Sequence, residues 1–95
     1  MDASEHKPVT VVGWRGCPYF ARSRALLESL PGGDVMEFPD RVGFKTWLSE
    51  NTGSFDSEKA RTHASCPFVF QGERYIGGND AFQAWVADLK LQEKN

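Results

Sequence analysis

The chain of 95 residues has only two cysteines, Cys17 and Cys66, and only two histidines, His6 and His63. Two cysteines are too few for the disulfide framework of a small secreted domain. His63 stands three residues before Cys66, a spacing that suits a shared metal. With no Cys-x-x-Cys and so few histidines, however, no structural zinc site is expected. An excess of basic residues is also missing: the formal net charge is -2, which argues against nucleic acid as a partner. No apolar run exceeds the length of a strand, so no membrane span or membrane partner is expected. Residues 1–8 are polar and lack the apolar stretch of a signal peptide. The sequence therefore reads as cytoplasmic, or as a mature form from which a targeting segment has been removed.

What remains is the composition of one packed domain, with a hydrophobic share of 40%. Val9-Thr10-Val11-Val12, ending at Gly13, reads as a buried strand. A helix is expected to follow, with Pro18 at its first position, where proline is tolerated. Its apolar face is Phe20, Ser23, Leu26, Leu27 and Leu30, and Pro31-Gly32-Gly33 stops it. Val35 to Phe38 reads as a second strand. Asp40 is the expected N-cap of a helix that buries Phe44, Trp47 and Leu48. Residues 51–54 break that helix, and residues 57–63 add a short polar one capped by Asp56 or Ser57. Phe68 to Phe70 and Arg74 to Ile76 form a hairpin around Gly72. After the Gly77-Gly78 turn, Asn79 caps a last helix with Phe82, Trp85, Val86 and Leu89 along one side. Residues 1–8 and 92–95 are expected to be flexible ends.

The order β-α-β-α-(α)-β-β-α implies two parallel strands joined through a helix, then an antiparallel hairpin. The fold class expected is α/β: one thioredoxin-like domain with a small four-stranded mixed sheet flanked by helices. Cys17 then falls between a strand end and a helix N-terminus. Unpaired N–H groups and the helix dipole favour a negative charge there, and Arg15 adds a nearby cation. Both favour the thiolate, which is the nucleophilic form. The ordinary alternative is a buried packing cysteine that happens to begin a helix.

Three segments decide between these readings. Val11-Val12-Gly13-Trp14-Arg15-Gly16-Cys17-Pro18-Tyr19-Phe20 resembles the strand and active-site loop of glutaredoxins, whose usual motif is Cys-Pro-Tyr-Cys. Ser65-Cys66-Pro67 resembles their Thr-Val-Pro segment, in which the proline is cis. Tyr75-Ile76-Gly77-Gly78-Asn79-Asp80 resembles their Gly-Gly-(Cys/Ser)-Asp turn. The resemblance implies a glutathione-dependent disulfide oxidoreductase with Cys17 as its nucleophile. It further implies that the Cys66 backbone, beside Pro67, pairs with the cysteinyl part of glutathione. The amides of Gly78, Asn79 and Asp80 would hold the γ-glutamyl carboxylate, with Asp80 taking the ammonium group. Tyr19 would line the groove. Helix capping is the simpler role for Asn79 and Asp80, and the two roles can coexist.

The sequence also departs from that family. Phe20 replaces the second motif cysteine, so a dithiol exchange is lost and a monothiol route remains: deglutathionylation of protein or small-molecule mixed disulfides, with glutathione as co-substrate. Trp14 stands where a lysine is usual, and Ala64 where a polar or basic residue is usual. Arg15, Lys45 or Arg61 would have to replace them at the glycyl carboxylate. Cys66 is either a small packing group or a resolving thiol for Cys17. Two rival classes stay open. One is a dimeric carrier of a [2Fe–2S] cluster ligated through Cys17 and glutathione, to which Pro18 is unfavourable; the other is a redox-silent glutathione-binding module. For the enzyme reading a monomer is expected.

Overall fold

The computed structural model describes residues 8–93. The sequence expectations for residues 1–7, His6 among them, and for residues 94–95 lie outside it. Strand β1 is Val9–Trp14, followed by helix α1, Pro18–Leu27, strand β2, Asp34–Phe38, and helix α2, Arg41–Asn51. A 3-10 turn at Thr52–Ser54 leads to helix α3, Lys59–Thr62. Strands β3, Phe68–Gln71, and β4, Arg74–Gly77, precede the last helix, α4, Asn79–Glu93.

The sheet order is β2-β1-β3-β4. β1 runs parallel to β2, with Thr10 opposite Asp34 and Trp14 opposite Phe38. It runs antiparallel to β3, with Val9 opposite Gln71 and Val12 opposite Phe68. Each central strand sends alternate side chains to opposite faces, and both faces are covered. Val9, Val11 and Val69 meet Phe20, Leu27, Phe82 and Val86 of α1 and α4. Val12 and Phe68 meet Phe44 and Leu48 of α2 and Ala60 of α3. This two-sided burial explains why β1 is a continuous apolar run rather than an alternating one. β2 lies at an edge and is largely exposed, with Val35 and Met36 facing solvent.

α1 begins at Pro18 as expected, but ends at Leu27, so Leu30 packs from beyond the helix. Asp40 caps α2 by accepting the Gly43 N–H at 2.9 Å. The cap assignments around α3 need correction. Glu58 occupies the cap position without a side-chain bond, while Ser57 Oγ accepts the Lys59 N–H at 3.2 Å. Asp56 faces the other way: its carboxylate accepts the Tyr75 N–H at 3.0 Å, and its own N–H donates to the Glu73 carbonyl. Phe55 stacks among Phe68 and Phe70, with ring centroids 5.1 and 4.9 Å away. The segment from Phe55 to Asp56 is thus anchored to the β3–β4 hairpin by hydrogen bonds and aromatic packing.

Asn79 opens α4, and its side chain has a further task. Ser23 Oγ donates to Asn79 Oδ1 at 2.8 Å, joining α1 to α4 inside an otherwise apolar layer. Both residues are buried. Ser23→Ala leaves the Asn79 oxygen without its donor, which costs about 1–3 kcal/mol. The expected outcome is a lower urea midpoint at unchanged m-value; an unaltered midpoint would show that the bond contributes nothing.

Candidate functional site

Cys17 is the N-cap residue of α1, with extended backbone, and Pro18 follows at the first helical position. The turn that delivers it is held by the Arg15 N–H to the Phe38 carbonyl and the Cys17 N–H to the Trp14 carbonyl. Gly16 takes φ +98, a conformation that a side chain would strain. The Phe20 N–H donates to Cys17 Sγ at 3.4 Å, as an N-cap acceptor requires. No acidic side chain lies in the first turn of α1 to oppose an anion there. The residue is 6% exposed, so the sulfur is set into the surface rather than displayed on it.

Across from this sulfur lies the loop that enters β3. Cys17 Sγ–H donates to the Cys66 carbonyl at 3.7 Å, and the Cys66–Pro67 peptide bond is cis. Both cysteines are free thiols. Burial, and after it the neighbouring Cys17 thiol, push the Cys66 thiol up to about 12, against an opposing hydrogen bond at the Trp14 backbone. The two thiols are therefore unlike: one caps a helix, and the other is half-buried and held neutral. Cys66 packs against the apolar clusters on both sides of the sheet.

The start of α4 approaches the same loop. A Cβ placed on Gly78 would stand 3.7 Å from the Pro67 carbonyl oxygen and 3.8 Å from His63 Cε1. Asp80 is exposed in the first turn of α4. On the other flank of Cys17, between α1 and β2, a cleft of about 380 Å³ is lined by Arg15, Pro18, Ala21, Arg24 and Glu37. Glu37 binds both guanidiniums there, Arg15 Nε at 3.4 Å and Arg24 at 2.9 Å. Such exposed pairs contribute little to stability. Among the described residues no group of three or more His, Cys, Asp or Glu side chains gathers into a metal site, and no helix is long and apolar enough to cross a membrane.

No family model and no curated protein matches this sequence. Solved structures do match. The reduced glutaredoxin of Escherichia coli aligns at TM-score 0.63 with 25% identity, over 85% of this chain and 94% of that one. A dithiolic glutaredoxin of Trypanosoma brucei brucei aligns at TM-score 0.67 with 23% identity, over 95% and 88% of the two chains. Wheat glutaredoxin aligns at TM-score 0.60 with 26% identity, over 93% of this chain and 77% of that one. The chain has the thioredoxin-like fold of the glutaredoxins.

Within this glutaredoxin-type fold, three predicted elements converge: Cys17, the Cys66–Pro67 loop and Gly78 at the start of α4. Tyr19 is exposed beside Cys17, with the Arg22 guanidinium 5.4 Å from its ring centre. Lys45 reaches the loop directly, its ammonium donating to the Ala64 carbonyl at 2.6 Å. Arg61 is exposed on α3 and is not brought to the loop by any contact described here. Arg15 is turned toward Glu37 and the α1–β2 cleft. The Asn79 side-chain oxygen is committed to Ser23.

Sequence reasoning missed His63, weighed there only as a metal ligand. Its Nδ1 lies 2.6 Å from the Tyr75 hydroxyl, and its Nε2 lies 2.7 Å from the Ser65 carbonyl and 3.0 Å from the Pro67 carbonyl. The usable signal was its place four residues before Pro67, opposite a tyrosine of the hairpin.

Proposed function

We propose that this chain is a glutathione-dependent thiol–disulfide oxidoreductase that removes glutathione from mixed disulfides through Cys17 alone. The observation that carries this reading is the Cys17 sulfur, which caps α1 and faces the carbonyl of the residue before a cis-proline. First-turn amides and the helix dipole lower the cost of a negative charge on that sulfur. As thiolate, Cys17 attacks the glutathionyl sulfur of a mixed disulfide. A Cys17–glutathione bond forms, the substrate's S–S bond breaks, and the substrate leaves as a thiolate that takes up a proton. A second glutathione, deprotonated, attacks the bound glutathionyl sulfur and restores the Cys17 thiolate. The substrate thiol has been released in reduced form, and the one free glutathione consumed leaves as a disulfide with the glutathionyl group taken from the substrate. Phe20 supplies no second thiol, so this exchange needs none.

The tripeptide would lie along the Cys66 backbone with its γ-glutamyl carboxylate at the amides of Gly78, Asn79 and Asp80. The Asp80 carboxylate would hold the ammonium group, and Tyr19 and Pro67 would border the groove. Lys45 is the better candidate for the glycyl carboxylate, because its ammonium already stands at Ala64, where the usual polar side chain is missing. Arg15 and Arg61 are the weaker candidates. Exchange of a glutathionylated peptide with free glutathione tests the reading: the wild-type chain is expected to turn it over, and absence of turnover would overturn it in favour of the cluster carrier or the redox-silent binding module.

Cys66 gives the oxidised enzyme a second exit. Its thiol can attack the Cys17–glutathione disulfide, forming Cys17–Cys66 and releasing glutathione. Burial, the largest of the causes that hold the Cys66 thiol neutral, persists in the adduct, so this step is slow at neutral pH and quickens as the pH rises. Mass spectrometry of the oxidised protein is expected to find mainly the glutathione adduct at pH 7 and a growing share of internal disulfide at pH 9. An adduct that persists across that range rules out Cys66 as a resolving thiol.

A further inference from the structure

The geometry points to His63 as a positioning residue: its ring fixes the Cys66–Pro67 loop and the adjoining start of α4, the two backbone segments that hold glutathione. This inference rests on the functional reading above. Carbonyl oxygens only accept hydrogen bonds, so the nitrogen shared by Ser65 and Pro67 must carry the hydrogen. In a neutral ring Nδ1 is then an acceptor, and the Tyr75 hydroxyl donates to it. A single N–H thus spans the carbonyls on either side of Cys66. The ring is wedged edge-on against Phe68 and Tyr75, with centroids 5.0 and 5.7 Å away. A Cβ added to Gly78 would come into van der Waals contact with its Cε1. Rotating or removing this ring frees both carbonyls, while the Phe20 N–H that caps onto Cys17 is untouched.

Burial favours the neutral imidazole here, lowering the affinity of His63 for a proton, and the positive charge of Lys45 adds a smaller push in the same direction. The other ionisable groups around it are Tyr75 on β4, which burial keeps protonated, and the neutral Cys66 thiol in the loop. Asp80 lies two residues beyond Gly78 on α4, exposed. Protonation would reverse the Tyr75 bond, with Nδ1–H donating to the hydroxyl oxygen, and would place a second cation beside Lys45 in a half-buried site, which loosens the packing around the loop.

His63→Ala is expected to raise the KM for glutathione by roughly three- to tenfold. The rate at which iodoacetamide alkylates Cys17 should stay within twofold of wild type, because that reaction needs no tripeptide site. His63→Gln, whose amide can again donate toward the two carbonyls, is expected to recover most of the KM. The wild-type KM should rise only at pH values well below the ordinary histidine value of about 6.5, because burial and Lys45 disfavour the imidazolium, and the glutamine variant should lack that rise. An alanine variant with unchanged KM, or a glutamine variant with the wild-type pH profile, overturns the assignment while leaving the function intact. If the alanine variant does not fold, the glutamine variant's KM and pH profile decide alone. A wild-type chain that ignores glutathione overturns the functional reading and this inference together.

Discussion

Cys17→Ser is expected to reduce glutathione-dependent exchange by about a thousandfold or more while leaving the fold at least as stable as before. The two halves of this expectation come from different parts of one residue. A serine hydroxyl stays protonated at neutral pH and leaves no nucleophile for the disulfide. Serine is nevertheless a preferred N-cap, and its oxygen can accept the Phe20 N–H that the sulfur now accepts. The hydroxyl can also donate to the Cys66 carbonyl, replacing the weak S–H donor. Activity and thermal midpoint should therefore respond in opposite senses, the first collapsing and the second holding or rising. Residual exchange near the wild-type rate would show that another thiol does the work. A collapse of the midpoint would show that the sulfur is chiefly a packing group.

The second large effect concerns Phe20, three residues after Cys17 in the first turn of α1. It is 3% exposed, and its ring lies on Gly13 in β1 so closely that a Cβ there would be 2.3 Å from Phe20 Cδ1. Phe20→Ala is expected to cost about 3–5 kcal/mol. For a domain of this size, each kcal/mol lowers the thermal midpoint by about 4–8 °C. Gly13→Ala alone should cost about 1–3 kcal/mol, because the ring must yield to the new methyl. In the Phe20→Ala background the ring clash is gone and only the retained Cβ, 2.9 Å from the new methyl, remains in the way, so the same substitution should cost less. Urea unfolding of the four proteins measures this coupling. Strict additivity would mean that the ring and the glycine do not depend on each other.

Much of the fold was legible because it rests on short-range patterns. Val9 to Val12 reads as a strand buried on both faces, Asp40 reads as a cap, and Gly72 reads as the turn of a hairpin. Each needs only its neighbours. Where the structure departs from expectation, distant groups compete. Asp56 was expected to cap α3, but the Tyr75 amide, far along the chain, takes its carboxylate. Asn79 reads as a cap, yet its side chain is claimed by Ser23 of another helix. His63 becomes intelligible only once two carbonyls and a phenol from three places meet its ring. Lys45 was named as one of several substitutes, and only the approach of α2 to the loop singles it out. In the candidate site, Cys17, Cys66 and Gly78 were legible through ordered motifs, while the groups that hold them in place were not.

The Ser23–Asn79 bond has one more consequence. Two helices that meet through aliphatic side chains alone can slide past one another by part of a turn at little cost, since one methyl contact replaces another. A hydrogen bond sealed in such a layer allows no such drift, because any slip strands two polar atoms away from water. It therefore acts as a gauge: Ser23 stands less than two turns beyond the nucleophile, and Asn79 stands at the amides that would grip the far end of the tripeptide. That contact thereby helps to hold the start of α4 at a fixed distance from Cys17.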